Sequence, residues 1–399
     1  MGPLDGIKVI EMANGIHGPY AAMLLADMGA EVIKVEPPFG DMNRVAAIVD
    51  GKYNGGSQFY ACNRNKRAMC VDLTKPDGVA LVRELLKDTD VFIENMRPGV
   101  LDRRGLGYDE LKGDLPRLVY ASATGFGPVG PRAHLASLDI VGQAAGGVVA
   151  HTGTEESGPL PAGAAIADHG GALWLAYGVM AALLAREKTG HGQRVQTSLL
   201  GSQIGLQAWE MSHYLLTNQE SGRGGTGHPL ARGGWRVFAA KDGHFALAGV
   251  TDERWTGLCQ ALGVPGLATD PRFDSAAGRL EHGDELLAEI EPIFSSKPVR
   301  DLVKVLEDTD QIVAMVMNYA DLAEDEQVRA NGYVTSLEAP GYGELPMVGS
   351  PVYLSETPAS IRSRPPDLDA NTVEILQALG RSDEEIAAMY ASGIVGPKS

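Results

Sequence analysis

The segment GIKVIEMANGIHGPYAAMLLADMGAEVIKVEPP, residues 6–38, decides the fold of this chain. It begins with a short apolar run, residues 6–11, which predicts a strand. Gly18-Pro19 then opens a helix, because proline is tolerated at the first helical position. A second apolar run, residues 29–36, predicts another strand, which is closed by two prolines. Strand, helix and strand in this order are typical of a right-handed βαβ unit and of a parallel sheet.

The same alternation continues further along the chain. Apolar residues near helical spacing predict a helix from Lys75 to about Lys87, and residues 90–95 and 118–122 read as buried strands. The fold class is therefore α/β, with a Rossmann-like parallel sheet in a large domain. The dinucleotide fingerprint Gly-x-Gly-x-x-Gly is absent after the first strand. Ligands of such sheets bind beyond the carboxyl ends of the strands, where we expect the site.

The second half of the chain has a different pattern. Residues 237–247 predict a hairpin with Asp242-Gly243 at its turn. Further elements follow it: helices around 252–262, 281–294 and 298–308, strand and turn chemistry over 341–354, and a helical pattern over 371–394. These patterns predict three parts: a large domain over 1–219, a smaller α+β domain over 220–330, and a C-terminal segment over 331–399 that returns to the large domain.

Composition excludes several classes of function. The chain has 399 residues, 44% of them hydrophobic, and a formal net charge of −17, which argues against nucleic acid or an anionic membrane as partner. Its three cysteines have no paired spacing, and its histidines have no metal-ligand spacing. No secretory signal is visible, and the apolar segment over residues 172–185 is too short to span a membrane. We therefore expect a cytoplasmic protein without a metal.

Asp168 lies in the small-residue run GAAIADHGG, residues 163–171, directly before a long apolar stretch. The pattern places its carboxylate near the first turn of a helix, where backbone N–H groups and the positive end of the helix dipole hold negative charge. Glycine on its C-terminal side allows a substrate to approach the backbone closely. Taken alone, this window favours a helix N-cap. The alternative is a reactive carboxylate.

Several runs of sequence match those of a known family, in the same order. They are Leu4–Val9, Leu25–Glu36, Asn63–Arg67, Glu94–Gly99, Gly125–Pro131, Asp139–Ala144 and Thr189–Val195. On these runs the chain resembles the family III CoA-transferases, a family that includes formyl-CoA:oxalate and carnitine CoA-transferases and the α-methylacyl-CoA racemases. The likeness extends nearly from end to end and thins after residue 220.

The resemblance implies a mechanism. Asp168 would attack an acyl-CoA donor, an aspartyl-CoA thioester would form, and a free carboxylic acid would leave as the new acyl-CoA. Covalent steps of this kind are nucleophilic catalysis. Backbone N–H groups around His169, Gly170 and Gly171 are candidate oxyanion donors. His17, beside Gly18-Pro19, is a candidate for substrate contact. Coenzyme A enters only as part of the substrate, so no permanently bound cofactor is expected.

Asp139 is the second candidate acid. Some transferases of this family place a glutamate at the matching position near the nucleophile, whereas the alternative is a structural acid at the start of a helix over 139–149. The racemases of the family place a histidine directly before this aspartate, where Leu138 stands here. Racemisation needs a base and an acid on opposite faces of a carbon, and leucine is neither. The departure favours transfer over racemisation.

The resemblance also indicates where CoA binds and how the chain assembles. Arginine and lysine side chains would hold the CoA phosphates. The implied contacts are Asn14, Arg64, Lys66, Arg67, Val71, Thr74, Asn95, Arg97, Arg103 and Thr124. The family forms homodimers of two interlocked, ring-shaped chains.

Two other functions stay open: an α-methylacyl-CoA racemase or isomerase of the same fold, and a non-catalytic CoA-binding protein.

Overall fold

The computed structural model of the protein describes residues 2–46, 55–231 and 235–398. The strands are β1 (Lys8–Met12), β2 (Glu31–Glu36), β3 (Lys66–Cys70), β4 (Val91–Glu94), β5 (Val119–Thr124), β6 (Gly153–Thr154), β7 (Gly158–Pro159), β8 (Arg194–Ser198), β9 (Trp235–Ala239), β10 (His244–Ala248), β11 (Ile312–Met315), β12 (Val334–Ala339) and β13 (Gly343–Val348).

The helices are α1 (His17–Asp27), α2 (Ser57–Cys62), α3 (Pro76–Leu86), α4 (Tyr108–Leu111), α5 (Asp139–Ala145), α6 (Val148–His151), α7 (Ile166–Thr189), α8 (Leu199–Leu206), α9 (Ala208–Thr217), α10 (Asp252–Leu262), α11 (Ala276–Glu281), α12 (Gly283–Ser296), α13 (Val299–Glu307), α14 (Tyr319–Glu324), α15 (Glu326–Ala330), α16 (Thr372–Ala378) and α17 (Asp383–Ala391). Short 3₁₀ turns cover Met42–Arg44, Asp102–Arg104 and Pro265–Thr269. No helix within the described ranges is both long and apolar enough to cross a bilayer.

The chain divides into two units. The first, which comprises residues 1–146, 163–206 and 326–399, is built on a six-stranded sheet in the order β3-β2-β1-β4-β5-β8. Every neighbouring pair of these strands is parallel. The order reverses between β1 and β4, so the loops after these two strands diverge and leave a crevice at the carboxyl edge. The predicted α/β class and parallel sheet are confirmed.

Two helical layers cover this sheet because successive strand residues point to opposite faces. Val9 belongs to the core that α1 and α7 close. Its neighbour Ile10 belongs to the core that α3, α16 and α17 close on the other face. The C-terminal segment therefore contributes directly to the core of the first unit.

The second unit contains the three-stranded antiparallel sheet β11-β10-β9. The predicted hairpin is present, with Phe245 opposite Phe238 in its register. Both rings are buried with Phe294 of α12 in the core of this unit. The helices predicted around 252–262, 281–294 and 298–308 correspond to α10, α12 and α13.

The division of the chain differs from the boundaries expected from the sequence. One unit comprises residues 1–146, 163–206 and 326–399, and the other comprises 147–162 and 207–325. Residues 147–162 join the second unit because their backbone pairs with the glycine-rich run SGRGGTG, residues 221–227, as in the bond from the Gly225 N–H to the Gly153 carbonyl. The helix predicted over 139–149 ends at Ala145, since Gly147 has a φ of 98°.

Candidate active site

Asp139 and Asp168 meet at the start of α7. Asp139 Oδ1 accepts hydrogen bonds from the backbone N–H groups of Ala167 (2.8 Å) and Asp168 (3.1 Å). Its Oδ2 accepts from Gln143 Nε2 at 2.6 Å. Asp139 thus caps α7 from another helix. Asp168 is the third residue of α7 and caps nothing, so the N-cap interpretation of Asp168 is wrong.

The Asp168 carboxylate has an unusual protonation equilibrium. Burial raises its pKa to about 7, and the neighbouring charge of Asp139 acts in the same direction. Desolvation disfavours the ionised form, and a second carboxylate nearby disfavours it further. Asp168 therefore changes its charge near neutral pH, as reactive carboxyl groups in active sites often do.

The backbone donors at the start of α7 are already engaged. The N–H of Ile166 donates to the Ala164 carbonyl at 2.8 Å, and that of His169 donates to the Ala165 carbonyl at 3.0 Å. Gly170 and Gly171 lie further into the helix, where each N–H donates to the carbonyl four residues earlier. The oxyanion role predicted for the backbone of His169, Gly170 and Gly171 does not fit this geometry.

The His169 ring is held against the start of its own helix. Its Nδ1 lies 2.9 Å from the Ala165 carbonyl, and the ring packs edge-to-face on Tyr20 with centroids 4.8 Å apart. The same ring lines a cavity of about 340 Å³ together with Tyr20, Arg64 and Met347. His169 is thus next to the nucleophile candidate in sequence, while its side chain packs toward α1.

His17 is buried, with 4% of its surface exposed. Its ring lies against Gly171 of α7, and Nε2 is 3.0 Å from Thr197 Oγ1 on β8. Burial lowers its pKa to about 4, so the ring is neutral at physiological pH. The substrate contact predicted for His17 does not fit a side chain enclosed between two elements.

The loops after β1 and β4 are joined at the point where the strand order reverses. Asn95 Oδ1 accepts from the Asn14 backbone N–H at 2.9 Å, and Asn95 Nδ2 donates to the Asn14 carbonyl at 2.6 Å. Both predicted CoA contacts therefore lie together at the carboxyl edge of the sheet. This position is the usual ligand crevice of such folds.

Two arginines in the same region are available for an anion. Arg97 and Arg103 follow β4, and both are exposed. Across the described residues, neither guanidinium donates a hydrogen bond or forms an ion pair. Arg104, beside them, instead donates to the carbonyls of Leu73 and Val100. Arg97 and Arg103 are therefore the basic side chains at this edge that best suit phosphate.

Three further predicted contacts lie at or just after the carboxyl ends of their strands: Val71 and Thr74 follow β3, and Thr124 ends β5. Val71 is 1% exposed, and Thr74 is bonded to Asp72 within its loop. Thr124 Oγ1 donates to the Thr197 carbonyl at 3.1 Å, which ties the ends of β5 and β8 together. The surroundings of Val71 and Thr124 give them structural contacts, and Thr74 is exposed.

The structure places three other predicted CoA contacts elsewhere. Arg64 is buried in a bidentate ion pair with Asp27, with N–O distances down to 2.6 Å. The Lys66 ammonium is fully enclosed by three acceptors: Glu11, the Pro19 carbonyl and Asn63. Arg67 is the second residue of β3, near the amino edge of the sheet, and pairs with Glu374. None of these cations is available for a phosphate.

Lys66 belongs to a buried charge network that the sequence patterns did not reveal. Glu11 Oε2 is 2.7 Å from Lys66 Nζ, and Glu11 Oε1 is 2.8 Å from Lys34 Nζ. Lys34 also pairs with Asp41 at 2.9 Å and donates to the Ala13 carbonyl. A lysine and a glutamate within otherwise apolar strands are the signal that indicates such a buried pair.

The family model of CoA-transferase family III matches residues 4–372. The chain belongs to this family. An acyl-CoA transferase of Fusarium pseudograminearum is 34% identical, over 99% of this chain and 88% of that protein. A succinate–glutarate CoA-transferase of Agrobacterium fabrum is 34% identical, over 94% and 96%. The crystal structure of a CAIB/BAIF family protein from Brucella suis has a TM-score of 0.85 and 33% identity, over 95% and 99%.

The predicted family and the predicted class of enzyme are confirmed: the chain is a CoA-transferase. Enzymes of this class act on CoA thioesters, so coenzyme A is a substrate moiety. In this transferase, the carboxyl edge of the sheet supplies two unengaged arginines, and the start of α7 supplies a carboxylate with a pKa near neutrality. Within the described part of the chain, no cluster of side chains could hold a metal ion.

The partly buried Asp168 carboxylate should make the folded transferase less stable as pH rises. Its pKa is about 7 in the folded state and about 4 when unfolded, so its contribution to stability is lost between these two values. Asp168→Asn has no titrating carboxyl at this position, so it does not lose this stability. The free energy of unfolding of the variant minus that of the wild type should therefore increase by about 1–3 kcal/mol from pH 5 to pH 7.5.

Urea unfolding at both pH values measures this change. Asp77→Asn is the matched control, because Asp77 is an exposed first-turn aspartate of α3. The control should show no such growth. A difference between Asp168→Asn and wild type that stays constant with pH would contradict a raised pKa.

Asp139 should act on Asp168 through its charge and its cap. Asp139→Asn keeps an oxygen for the two α7 N–H groups but removes the negative charge, so the pKa of Asp168 should fall. The pH–rate profile of CoA transfer should then move to lower pH, with the plateau rate reduced by less than about tenfold. A plateau loss of a hundredfold or more with an unmoved profile would instead make Asp139 a direct participant.

Arg97 and Arg103 should bind the phosphates of CoA. Replacing either with alanine should weaken CoA binding by about 1–3 kcal/mol, since a hydrogen bond to a charged group is lost, and the difference should shrink at high salt. Arg67→Ala is the control and should leave affinity unchanged, because that arginine lies at the other edge. Calorimetry that finds Arg67→Ala weakened and the other two variants unchanged would reject this placement.

Proposed function

We propose that this enzyme moves CoA from an acyl-CoA donor to a free carboxylic acid through an aspartyl-CoA thioester on Asp168. One observation carries the proposal. The carboxylate of Asp168 is desolvated at the start of α7, while the capping of that helix is done by Asp139. A carboxylate relieved of a structural role and poorly solvated is suited to attack a carbonyl carbon.

The proposed reaction proceeds in four covalent steps. An Asp168 oxygen attacks the thioester carbonyl and expels the CoA thiolate, which leaves a mixed anhydride. The thiolate attacks the Asp168 carbonyl of this anhydride, so the donor acid departs and the aspartyl-CoA thioester forms. The acceptor carboxylate attacks this thioester and expels the thiolate again. The thiolate then attacks the acyl carbon of the acceptor, which releases the new acyl-CoA and regenerates the Asp168 carboxylate.

The surroundings of Asp139 favour transfer over α-proton exchange. Leu138 has no ionisable group, and both Asp139 oxygens already accept hydrogen bonds. Proton abstraction on one face and delivery on the other requires two groups that can exchange protons with the substrate. Asp168 can serve as one of them. Leu138 cannot be the second, and the neighbouring His169 ring packs on Tyr20 with its Nδ1 at the Ala165 carbonyl.

The choice of acids to test first comes from a relative. The Agrobacterium fabrum protein is named for succinate and glutarate, and this chain aligns with 96% of its length. We therefore propose a short dicarboxylic acid as the acceptor class, with succinyl-CoA and glutarate as the first pair. Both products and substrates are then carboxylates and their thioesters, which matches a carboxylate nucleophile.

We also infer that the enzyme works as a homodimer. The outer face of α7 carries an apolar stripe at helical spacing that is exposed in the single chain: Leu173, Tyr177, Met180 and Leu184. Leu173 is 52% exposed, and Tyr177 and Leu184 are each 64% exposed. Apolar surface of this kind on the helix that carries Asp168 supports its burial against a second copy of the chain.

Turnover tests the proposed function directly. Succinyl-CoA with glutarate, and then a wider panel of acyl-CoAs and acids, should give new acyl-CoA products that mass spectrometry detects. Asp168→Asn should reduce the rate by several orders of magnitude, because the attacking oxygen anion is lost while the side-chain volume is kept. Asp77→Asn should retain full turnover.

Two outcomes would contradict the proposal. Enzyme-dependent deuterium uptake from D₂O at the α-carbon of 2-methylacyl-CoA thioesters, without transfer, would indicate a racemase. Tight CoA binding without turnover across the whole panel would indicate a non-catalytic CoA-binding protein.

The α7 stripe gives a prediction for assembly. Leu173→Lys with Tyr177→Lys places two charges in the apolar face, so light scattering after gel filtration should show a monomer where the wild type is a dimer. Asp77→Lys, an exposed charge reversal on α3, is the control. A double-lysine variant that stays dimeric would reject this surface.

A further inference from the structure

The His17 ring fills a notch in the surface of α7. The notch exists because residue 171 is glycine and has no side chain. A Cβ on Gly171 would lie 2.6 Å from His17 Nε2 and within 3.0 Å of two further ring atoms. Contacts this short do not occur between real atoms, so the imidazole and a side chain at position 171 exclude each other. The ring therefore fixes how closely α7 approaches the start of α1.

The ring is also tied to the sheet. Its Nε2 is 3.0 Å from Thr197 Oγ1, and the Thr197 carbonyl accepts from Thr124 Oγ1. One imidazole thus joins the first residue of α1, the second turn of α7 and the carboxyl ends of β5 and β8. Because the ring is buried and neutral, it acts through shape and hydrogen bonding.

Asp168 and Gly171 are three residues apart on α7, so they lie on the same face of the helix. On the other side of His17, the loop after β1 is held by Asn95, which bonds both backbone groups of Asn14. Residues 14–17 therefore connect two parts of the site. Asn14 is hydrogen-bonded to Asn95 in the loop that carries Arg97, and His17 packs against Gly171 of the helix that carries Asp168.

We propose that His17 is a positioning residue, which sets the placement of Asp168 relative to the CoA-binding loops by filling the notch at Gly171. The proposal rests on the proposed function, because it takes Asp168 as the nucleophile. His17 itself is enclosed and does not touch the substrate. A displacement of about 1 Å at a reacting group costs on the order of a hundredfold in rate, so a shift of α7 is sufficient to matter.

A pair of complementary substitutions separates positioning from packing. Gly171→Ala alone forces a methyl group into the ring and should lower the melting temperature. His17→Ala with Gly171→Ala removes the ring and places the methyl group in part of its space, so the melting temperature should recover. We expect this double variant to bind CoA as the wild type does, yet to form the aspartyl-CoA thioester about tenfold to a hundredfold more slowly in a single turnover.

Two further measurements make the result decisive. Thr197→Val removes one hydrogen-bond partner of the ring and keeps its contact with the Gly171 backbone, so it should slow the same step to a smaller extent. Hydrogen exchange at the amides of Ala167 and Asp168, which donate to Asp139, should accelerate in the double variant despite its restored melting temperature. This readout reports the position of α7 without any chemistry.

The outcomes are distinguishable. A double variant with wild-type exchange at these amides and a wild-type rate would show that His17 only fills space, and the proposal would be overturned. If the wild type forms no covalent adduct at all, the proposed function fails. In that case, hydrogen exchange alone still decides whether His17 holds the start of α7.

Discussion

One buried carboxylate between two buried ammonium groups holds the first βαβ unit together. Glu11 bridges Lys34 and Lys66. Lys34 also contacts Asp41 and the Ala13 carbonyl, and Lys66 also contacts Asn63 and the Pro19 carbonyl. Removal of one partner from such a network typically costs about 3–5 kcal/mol, because an uncompensated charge is left in the interior. The network therefore fixes the loop after β1 and the first turn of α1, on which the candidate site is built.

From this fixed loop, two contacts lead to the nucleophile candidate. Asn95 ties the loop to the end of β4, and His17 rests against α7 at Gly171. On the far side, Asp139 caps α7 and adds its charge to the desolvation that raises the pKa of Asp168 to about 7. The result is a carboxylate that is held in place by neighbours, poorly solvated and free of any capping role.

Much of the fold follows from the sequence, because periodicity and turn chemistry are local signals. The β1-α1-β2 unit and the β9-β10 hairpin were predictable in this way, whereas β8 was not, since RVQTS has no apolar run. Whether a charged side chain is buried depends on partners that are distant in sequence. Arg64, for example, is buried in an ion pair with Asp27, which lies 37 residues away. A basic cluster in the sequence therefore does not reveal which cations stay unpaired. Among the described residues, the structure leaves Arg97 and Arg103 exposed and without an ion pair.

The proposed mechanism requires Asp168 to become covalently bonded to CoA. The most direct measurement of this bond is peptide mapping by mass spectrometry of the enzyme quenched after incubation with an acyl-CoA donor and no acceptor. We predict an increase equal to CoA minus water on the peptide that contains Asp168, and borohydride should convert that side chain to its alcohol. A label on the peptide that contains Asp139, or turnover that proceeds with no covalent CoA on the protein, would contradict the account.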